Sequence, residues 1–169
     1  MRSATAHLLA GQIGAGKTTY AHRLADQEGG VVLSIDDWMA GLFGPDMPQP
    51  LDFGWVQERV RRCETRILAE TIQVLQRGQD VVLDLGFTTA DTRRLVAGQI
   101  RSAGQSVRLH WLDVPKEERW RRVSYRNNEQ GATYALRVTR AMFDFMEERF
   151  EPPTAEELDQ FNGQIVTAG

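Results

Sequence analysis

The sequence predicts an α/β protein built on a parallel sheet with helices on both faces. Short apolar runs of strand length alternate along the chain with longer amphipathic stretches of helical period. Val31-Val32-Leu33-Ser34-Ile35 and Asp80-Val81-Val82-Leu83-Asp84 are apolar on both faces, as strands inside a parallel sheet are. A glycine-rich stretch, residues 11–18, lies directly between the first apolar run and the first helical one. At 169 residues the expectation is a single domain, 1–169, with a core of its own.

Taken in order, Ala6-His7-Leu8-Leu9-Ala10 reads as a short buried strand and Lys17 to Gln27 as a helix ended by Gly29-Gly30. Val31 to Ile35 is the second strand, followed by Asp36-Asp37. Trp38 to Phe43 makes a short helix, which the following segment stops: Gly44 to Pro50 holds three of the six prolines. A long helix runs from about Asp52 to Gly78. It sets Val56, Val60, Cys63, Ile67, Val74 and Leu75 on one side and Arg59, Arg62, Arg66 and Glu70 on the other. Asp80 to Asp84 is the third strand. Thr88 with Asp91 resembles a capping box for a helix through Leu95, Val96 and Ile100 to Gly104. Ser106 to Leu112 is strand four, and Pro115 opens a charged helix to about Asn128 that Gly131 breaks. A further helix carries Val138, Met142, Phe145, Met146 and Phe150 before Pro152-Pro153, and Gln164-Ile165-Val166 is the last strand. In such a fold, ligands bind at the carboxyl ends of the strands.

Gly11-Gln12-Ile13-Gly14-Ala15-Gly16-Lys17-Thr18 fits G-x-x-x-x-G-K-[ST] at every fixed position, between a strand and a helix. The glycines let successive N–H groups turn inward, and the helix N-terminus adds partial positive charge. Lys17 is placed for the β- and γ-phosphates and the Thr18 hydroxyl for Mg²⁺, so residues 11–18 with the adjacent Thr19 form a nucleoside triphosphate site. Asp84, after Val-Val-Leu, reads as a Walker B carboxylate for the metal, with a strand-end turn as the plain alternative. Asp36 follows strand two directly and is the expected general base and a further metal-side carboxylate, whereas Asp37 is placed to cap the helix at Trp38. Arg119, Arg122 and Arg126 share a helix face that can close over phosphates, Arg122 and Arg126 being the expected catalytic cations and Arg122 also a nucleotide contact. The alternative is a solvated helix stabilised by Glu117 and Glu118, and Arg121 lies off the face. His7, His22 and His110 have no second ligand at metal spacing and read as core or surface histidines. Trp38, Phe43, Phe53 and Trp55 bracket the proline-rich loop, either lining an acceptor pocket or packing the loop.

Twenty Lys+Arg against 23 Asp+Glu give a formal net charge of -3, so no global positive field draws the chain to nucleic acid or anionic membrane. Cys63 is the only cysteine and falls on an apolar helix side, which excludes a disulfide within the chain and fits a reducing cytoplasm. With no signal-peptide pattern and no spanning segment, the expectation is a cytoplasmic protein without membrane contact, monomeric or homodimeric.

These residues resemble a known family: the small P-loop kinases of the zeta toxin, chloramphenicol phosphotransferase and polynucleotide kinase-like group, with gluconate kinase among them and an AAA_33-type ATP-binding domain. The resemblance runs through Gly11 to Thr18, Ser34-Ile35-Asp36-Asp37, Val81-Val82-Leu83-Asp84 and the Arg122–Arg126 pair. It implies a three-layer P-loop NTPase fold, a five-stranded parallel sheet in the order 2-3-1-4-5, a base at Asp36 and a mobile arginine lid. Its cofactors are ATP and Mg²⁺. In polynucleotide kinases an aromatic residue and then an arginine follow the Asp-Asp pair, whereas here Trp38 is followed by Met39. Zeta toxins carry a larger chain around the acceptor.

The leading expectation is therefore transfer of the γ-phosphate of ATP to a hydroxyl of a small molecule, a metabolite or an antibiotic. Two alternatives stand beside it. One is a polynucleotide 5′-hydroxyl kinase, for which Arg59, Arg61, Arg62 and Arg66 would form a local backbone track. The other is an ATP-dependent switch or binding protein that transfers nothing; the GTPase-type Asn-Lys-x-Asp motif is absent, and after strand three Asp84-Leu85-Gly86-Phe87 does not fit Asp-x-x-Gly.

Overall fold

The structure, a computed structural model, describes residues 4–129 and 137–167. In chain order the elements are β1 (Thr5–Ala10), α1 (Lys17–Glu28), β2 (Val31–Ser34), α2 (Ile35–Phe43) and a 3₁₀ turn (Gly44–Asp46). There follow α3 (Phe53–Gln76), β3 (Val81–Asp84), α4 (Ala90–Ser102), β4 (Ser106–Asp113), α5 (Lys116–Glu129), α6 (Arg140–Arg149), α7 (Ala155–Gln160) and β5 (Gln164–Thr167). The five strands pair in parallel in the order β2-β3-β1-β4-β5, the P-loop NTPase arrangement that the resemblance implied.

β1 is central: Leu8 aligns with Leu83 on one side and Leu109 on the other. Alternate residues feed opposite layers. Ala6, Leu8, Leu83 and Leu109 pack with Ile67 and Leu75 of α3 and Ala97 and Ile100 of α4. Leu9 and Val82 pack with Ala21, Leu24 and Ala25 of α1. Cys63 is buried in the first of these layers. Among the described residues, no helix is long and apolar enough to cross a membrane.

Several boundaries differ from expectation, each for a local reason. β2 stops at Ser34, whose hydroxyl accepts the Asp37 N–H at 3.4 Å and caps a helix that already begins at Ile35. Asp37 is thus not a cap, and Asp36 and Asp37 both lie in the first turn, where the helix dipole favours negative charge. α4 is capped by Thr89, which accepts from Thr92 N at 3.3 Å, so the expected Thr88/Asp91 box is displaced by one residue; the Thr88 carbonyl instead accepts the Glu151 N–H. α6 starts only at Arg140, after a Thr139 cap, leaving Val138 and Phe150 outside it; it buries Phe143 while Phe145 and Met146 stay exposed. α7 was not foreseen, being only six residues long. The expected break at Gly131 lies outside the described residues.

A polar chain crosses the α1 side of the sheet. The Asp80 carboxylate accepts from Thr5 N at 3.0 Å and from His7 Nε2 at 3.2 Å. That proton placement leaves His7 Nδ1 to accept from His110 Nε2 at 2.9 Å, and His110 Nδ1 to accept from the Tyr20 hydroxyl at 2.9 Å and Gln164 Nε2 at 3.1 Å. Burial lowers both histidines below their ordinary range, His110 to about 3, with the Asp80 carboxylate opposing the shift at His7. Both are therefore neutral in the fold, while in the unfolded chain they take up protons below about pH 6.5. Stability supplied by the neutral pair is full above pH 6.5 and declines as pH falls. A melting-temperature series should drop between roughly pH 6.5 and 5, before most carboxylates titrate, and His110→Phe should reduce that slope.

Candidate active site

The glycine loop owes its path to two positions. Gly16 is the residue before α1, left-handed at φ 88°, and it offers no side chain to cap the helix. The first-turn N–H groups of α1 therefore have no side-chain acceptor at Gly16, and an anion can take that place. Gly14, at φ 80°, passes so close to α5 that a Cβ would stand 2.6 Å from the Arg119 carbonyl oxygen.

Lys17 Nζ folds back on the loop, donating to the carbonyls of Gly11 at 2.9 Å and Gln12 at 3.3 Å. Burial lowers the pKa of its ammonium, and the carboxylates of Asp84 and Asp36 partly offset this. The Thr18 hydroxyl donates to Asp84 Oδ2 at 2.9 Å, so the ends of β3 and of the loop are joined. A cavity of about 320 Å³ lies over these groups, walled by Gly14, Gly16 to Thr19, Asp36, Asp84, Arg122 and Arg126. Asp36 faces this cavity, whereas Asp37 is not among its walls. Burial, then the Asp84 charge, raises the Asp36 carboxyl; Lys17 and Arg126 act against that rise. Thr18, Asp84 and Asp36 put only hard oxygen donors on one cleft, which fits a Mg²⁺ completed by phosphate and water. Among the described residues, no group of three or more His, Cys, Asp or Glu side chains gathers at metal distance.

The three arginines of α5 separate. Arg119 is buried: it donates to the Val114 carbonyl at 2.8 Å and to Glu147 Oε1 at 2.8 Å, and it lies over the Phe143 ring. It does not belong to a movable face. It ties the start of α5 to the end of β4 and to α6, and Gln12 of the glycine loop donates to the same Glu147 carboxylate. Arg122 is half-exposed, held by Glu118 Oε1 at 2.6 Å and near the Ala15 carbonyl at 3.4 Å. Arg126 is exposed and reaches the cleft. Helical spacing placed all three on one side, but that side is packed at one end and open at the other.

A second cavity of about 400 Å³ adjoins the first across Gly16, Thr19 and Arg122, with Tyr20, Arg23, Val114, Val166 and Thr167 in its walls. Nothing in the sequence singles out Tyr20 or Arg23; the Tyr20 hydroxyl is placed by a contact of α1 with a strand more than 80 residues away, the 90-residue span to His110, and Arg23 lies over the Tyr20 ring. On the other side of the site Phe43 meets Trp55 edge-on at 6.1 Å, and the Arg59 guanidinium lies 3.8 Å above the Trp55 ring. Phe53 is exposed. Arg62 and Arg66 are engaged by Glu58 and Glu70 of the same helix.

A family model described as an AAA domain (AAA_33) matches residues 7–153. A comparison with curated proteins finds no match. Among solved structures, a candidate kinase from Chloroflexus aurantiacus is 19% identical, with a TM-score of 0.74 over 99% of this chain and 88% of its own. A sugar kinase from a Janibacter species is 17% identical, with a TM-score of 0.68 over 98% and 86%. The APS kinase of Mycobacterium tuberculosis, solved with AMPPNP and APS, is 17% identical, with a TM-score of 0.64 over 99% and 90%. At these identities the likeness is one of fold.

Arg119 and Arg126 should separate in an unfolding experiment. Arg119→Ala leaves the Glu147 carboxylate without its cation, with the Gln12 amide still donating to it, and should cost about 3–5 kcal/mol, the range for breaking a buried ion pair. Arg126→Ala, at an exposed position, should stay within about 0.5 kcal/mol. Urea midpoints of the two variants measure the difference.

Proposed function

We propose that this chain, which belongs to the AAA_33 family of AAA domains, is a phosphotransferase that moves the γ-phosphate of ATP to a hydroxyl group of a small molecule. The observation that carries the reading is the meeting of Lys17, Thr18, Asp36, Asp84 and Arg126 on one cleft above a glycine loop that leads into a helix without a side-chain cap. Three kinds of group are needed for phosphoryl transfer: donors for the phosphates, a carboxylate for the incoming hydroxyl and cations for the charge on the moving group. All three kinds are present there.

In this reading the loop N–H groups and the start of α1 bind the phosphates. Lys17 exchanges the Gly11 and Gln12 carbonyls for phosphate oxygens, which are stronger, charged acceptors. Thr18, Asp84 and Asp36 would hold Mg²⁺, whose chemistry is to neutralise charge on the β- and γ-phosphates. Asp36 orients the acceptor hydroxyl and takes its proton; a carboxyl raised by burial and by Asp84 is a better base than a free one. Arg122 and Arg126 close toward the phosphates, Arg122 leaving Glu118 to do so. The nucleoside enters the second cavity, which continues from the phosphate cleft past Arg122. The acceptor approaches from the α2–α3 side, past Phe43, Trp55 and Arg59. Two arginines of the would-be nucleic-acid track are neutralised within their own helix, which favours a small acceptor over a polynucleotide.

A screen of hydroxyl compounds for stimulated ADP release, followed by mass detection of the phosphorylated product, tests the assignment. Release that no small alcohol stimulates, with salt-sensitive phosphorylation of single-stranded oligonucleotides, would replace it with the polynucleotide reading. Lys17→Ala should weaken ATP binding more than ADP binding, because the ammonium serves the β- and γ-oxygens; equal loss for the two would remove that role. Asp36→Asn should lower turnover on the order of 10²- to 10⁴-fold with little change in ATP affinity. Asp37→Asn retaining turnover while Asp36→Asn loses it is the expected ordering.

A further inference from the structure

We infer that Tyr20 is a positioning residue of the nucleoside cavity, fixed by the buried Asp80–His7–His110 chain, so that affinity for the base-bearing part of the nucleotide depends on His110. The inference rests on the reading above, in which the second cavity takes the nucleoside.

Tyr20 stands one helical turn after Lys17, so its backbone is set by the helix that begins at the phosphate loop. Its ring packs between Ala15, Leu112 and Val114 on one side and the α1 layer on the other, and it forms part of the cavity wall. The Arg23 guanidinium lies 5.3 Å from the ring centroid, in the same wall. What holds the ring is at its far end. The hydroxyl donates to His110 Nδ1 at 2.9 Å and accepts from Gln164 Nε2 at 3.1 Å, and the His110 ring lies 5.6 Å away, centroid to centroid.

His110 is not free to turn. Its Nε2–H is committed to His7 Nδ1 at 2.9 Å, and the His7 Nε2–H to Asp80, which the Thr5 N–H also holds. Each bond fixes the proton placement of the next, and the sequence of donors runs from Tyr20 inward to the carboxylate. The chain joins α1, β4, β1 and the residue before β3, and Gln164 adds the edge strand β5. Arg108, whose Nη2 donates to Gln164 Oε1, and Glu28 at the end of α1 are the charged groups beside it, and Arg23 faces the ring from α1 itself.

The hydrogen bonds that anchor the ring run to β4 and β5, away from the glycine loop, which the ring meets through packing on Ala15. A ring anchored this way meets the nucleoside already ordered, so binding does not have to immobilise it. Releasing the anchor should therefore weaken recognition of the nucleoside and leave recognition of the phosphates alone.

The test is calorimetric titration of the full chain, with Mg²⁺, against ATP and against inorganic tripolyphosphate. Tyr20→Phe keeps the ring and its packing and removes only the anchor. It should weaken ATP roughly three- to tenfold, the worth of one ordered side chain, and leave tripolyphosphate within about twofold. His110→Phe should do the same. The double variant should be no weaker than the worse single one, because both cut one chain. Should His110→Phe fail to fold, Tyr20→Phe decides alone. Equal weakening of both ligands would reduce Tyr20 to a structural residue, and unchanged ATP affinity would overturn the inference outright. A wild-type chain that binds tripolyphosphate as tightly as ATP would instead overturn the nucleoside assignment of the cavity, and the inference with it.

Discussion

The site depends on a shortage: the first N–H groups of α1 have no side-chain cap, and the residue before the helix is a left-handed glycine with nothing to offer them. A helix of twelve residues with its N-terminus open at the end of a buried strand is an anion site before any charged side chain is considered. The rest of the loop serves that geometry. Gly14 must lie against the α5 backbone, where even a methyl group would collide with the Arg119 carbonyl. Arg119 is accordingly used to hold α5 there, through Val114 and Glu147, and Glu147 reaches back to Gln12. Loop and helix α5 thus constrain each other, while three to seven residues further along the same helix Arg122 and Arg126 remain partly exposed above the cleft.

Charge in the cleft is arranged against stability. Lys17 carries an ammonium that burial disfavours, with only loop carbonyls to bond, and Asp36 carries a carboxylate raised by burial and by Asp84. Burial disfavours each charge, and each would gain from triphosphate, metal and acceptor hydroxyl. The opposite economy holds on the α1 side of the sheet. There the buried polar groups satisfy one another from Asp80 to Gln164, and two neutral histidines lock the proton positions. One polar cluster holds charges that burial disfavours, and the other is bonded through its own neutral rings.

How much of this was legible in the residues follows from the range of the interactions involved. The strand–loop–helix at Gly11 to Thr18, the buried strands and Asp84 at the end of β3 depend on neighbours in sequence and on periodicity, and were read without a structure. The sheet order came from resemblance, since pairing between strands 70 to 100 residues apart leaves no local trace. Single-residue errors arose where a hydroxyl decided a boundary. Ile35 continues an apolar run and looks like strand, but the Ser34 cap turns it into the first residue of α2. At α4, Thr88 and Thr89 are equally good caps in sequence, and only the engagement of the Thr88 carbonyl by Glu151 shows which is free to act.

The sequence by itself determined the phosphate loop, the layer pattern and the acidic residues at the strand ends, because helix and strand periodicity and backbone freedom at glycine are local properties. Only the tertiary structure decided what each arginine and histidine does. Arg119 and Arg126 lie seven residues apart on one helix face, yet one is buried against Glu147 and the other opens on the cleft. His7 and His110 are 103 residues apart and read as isolated core positions until parallel pairing of β1 and β4 puts their rings in contact. A charged or titratable side chain takes its role from the groups that desolvate it and pair with it, and those come from distant parts of the chain.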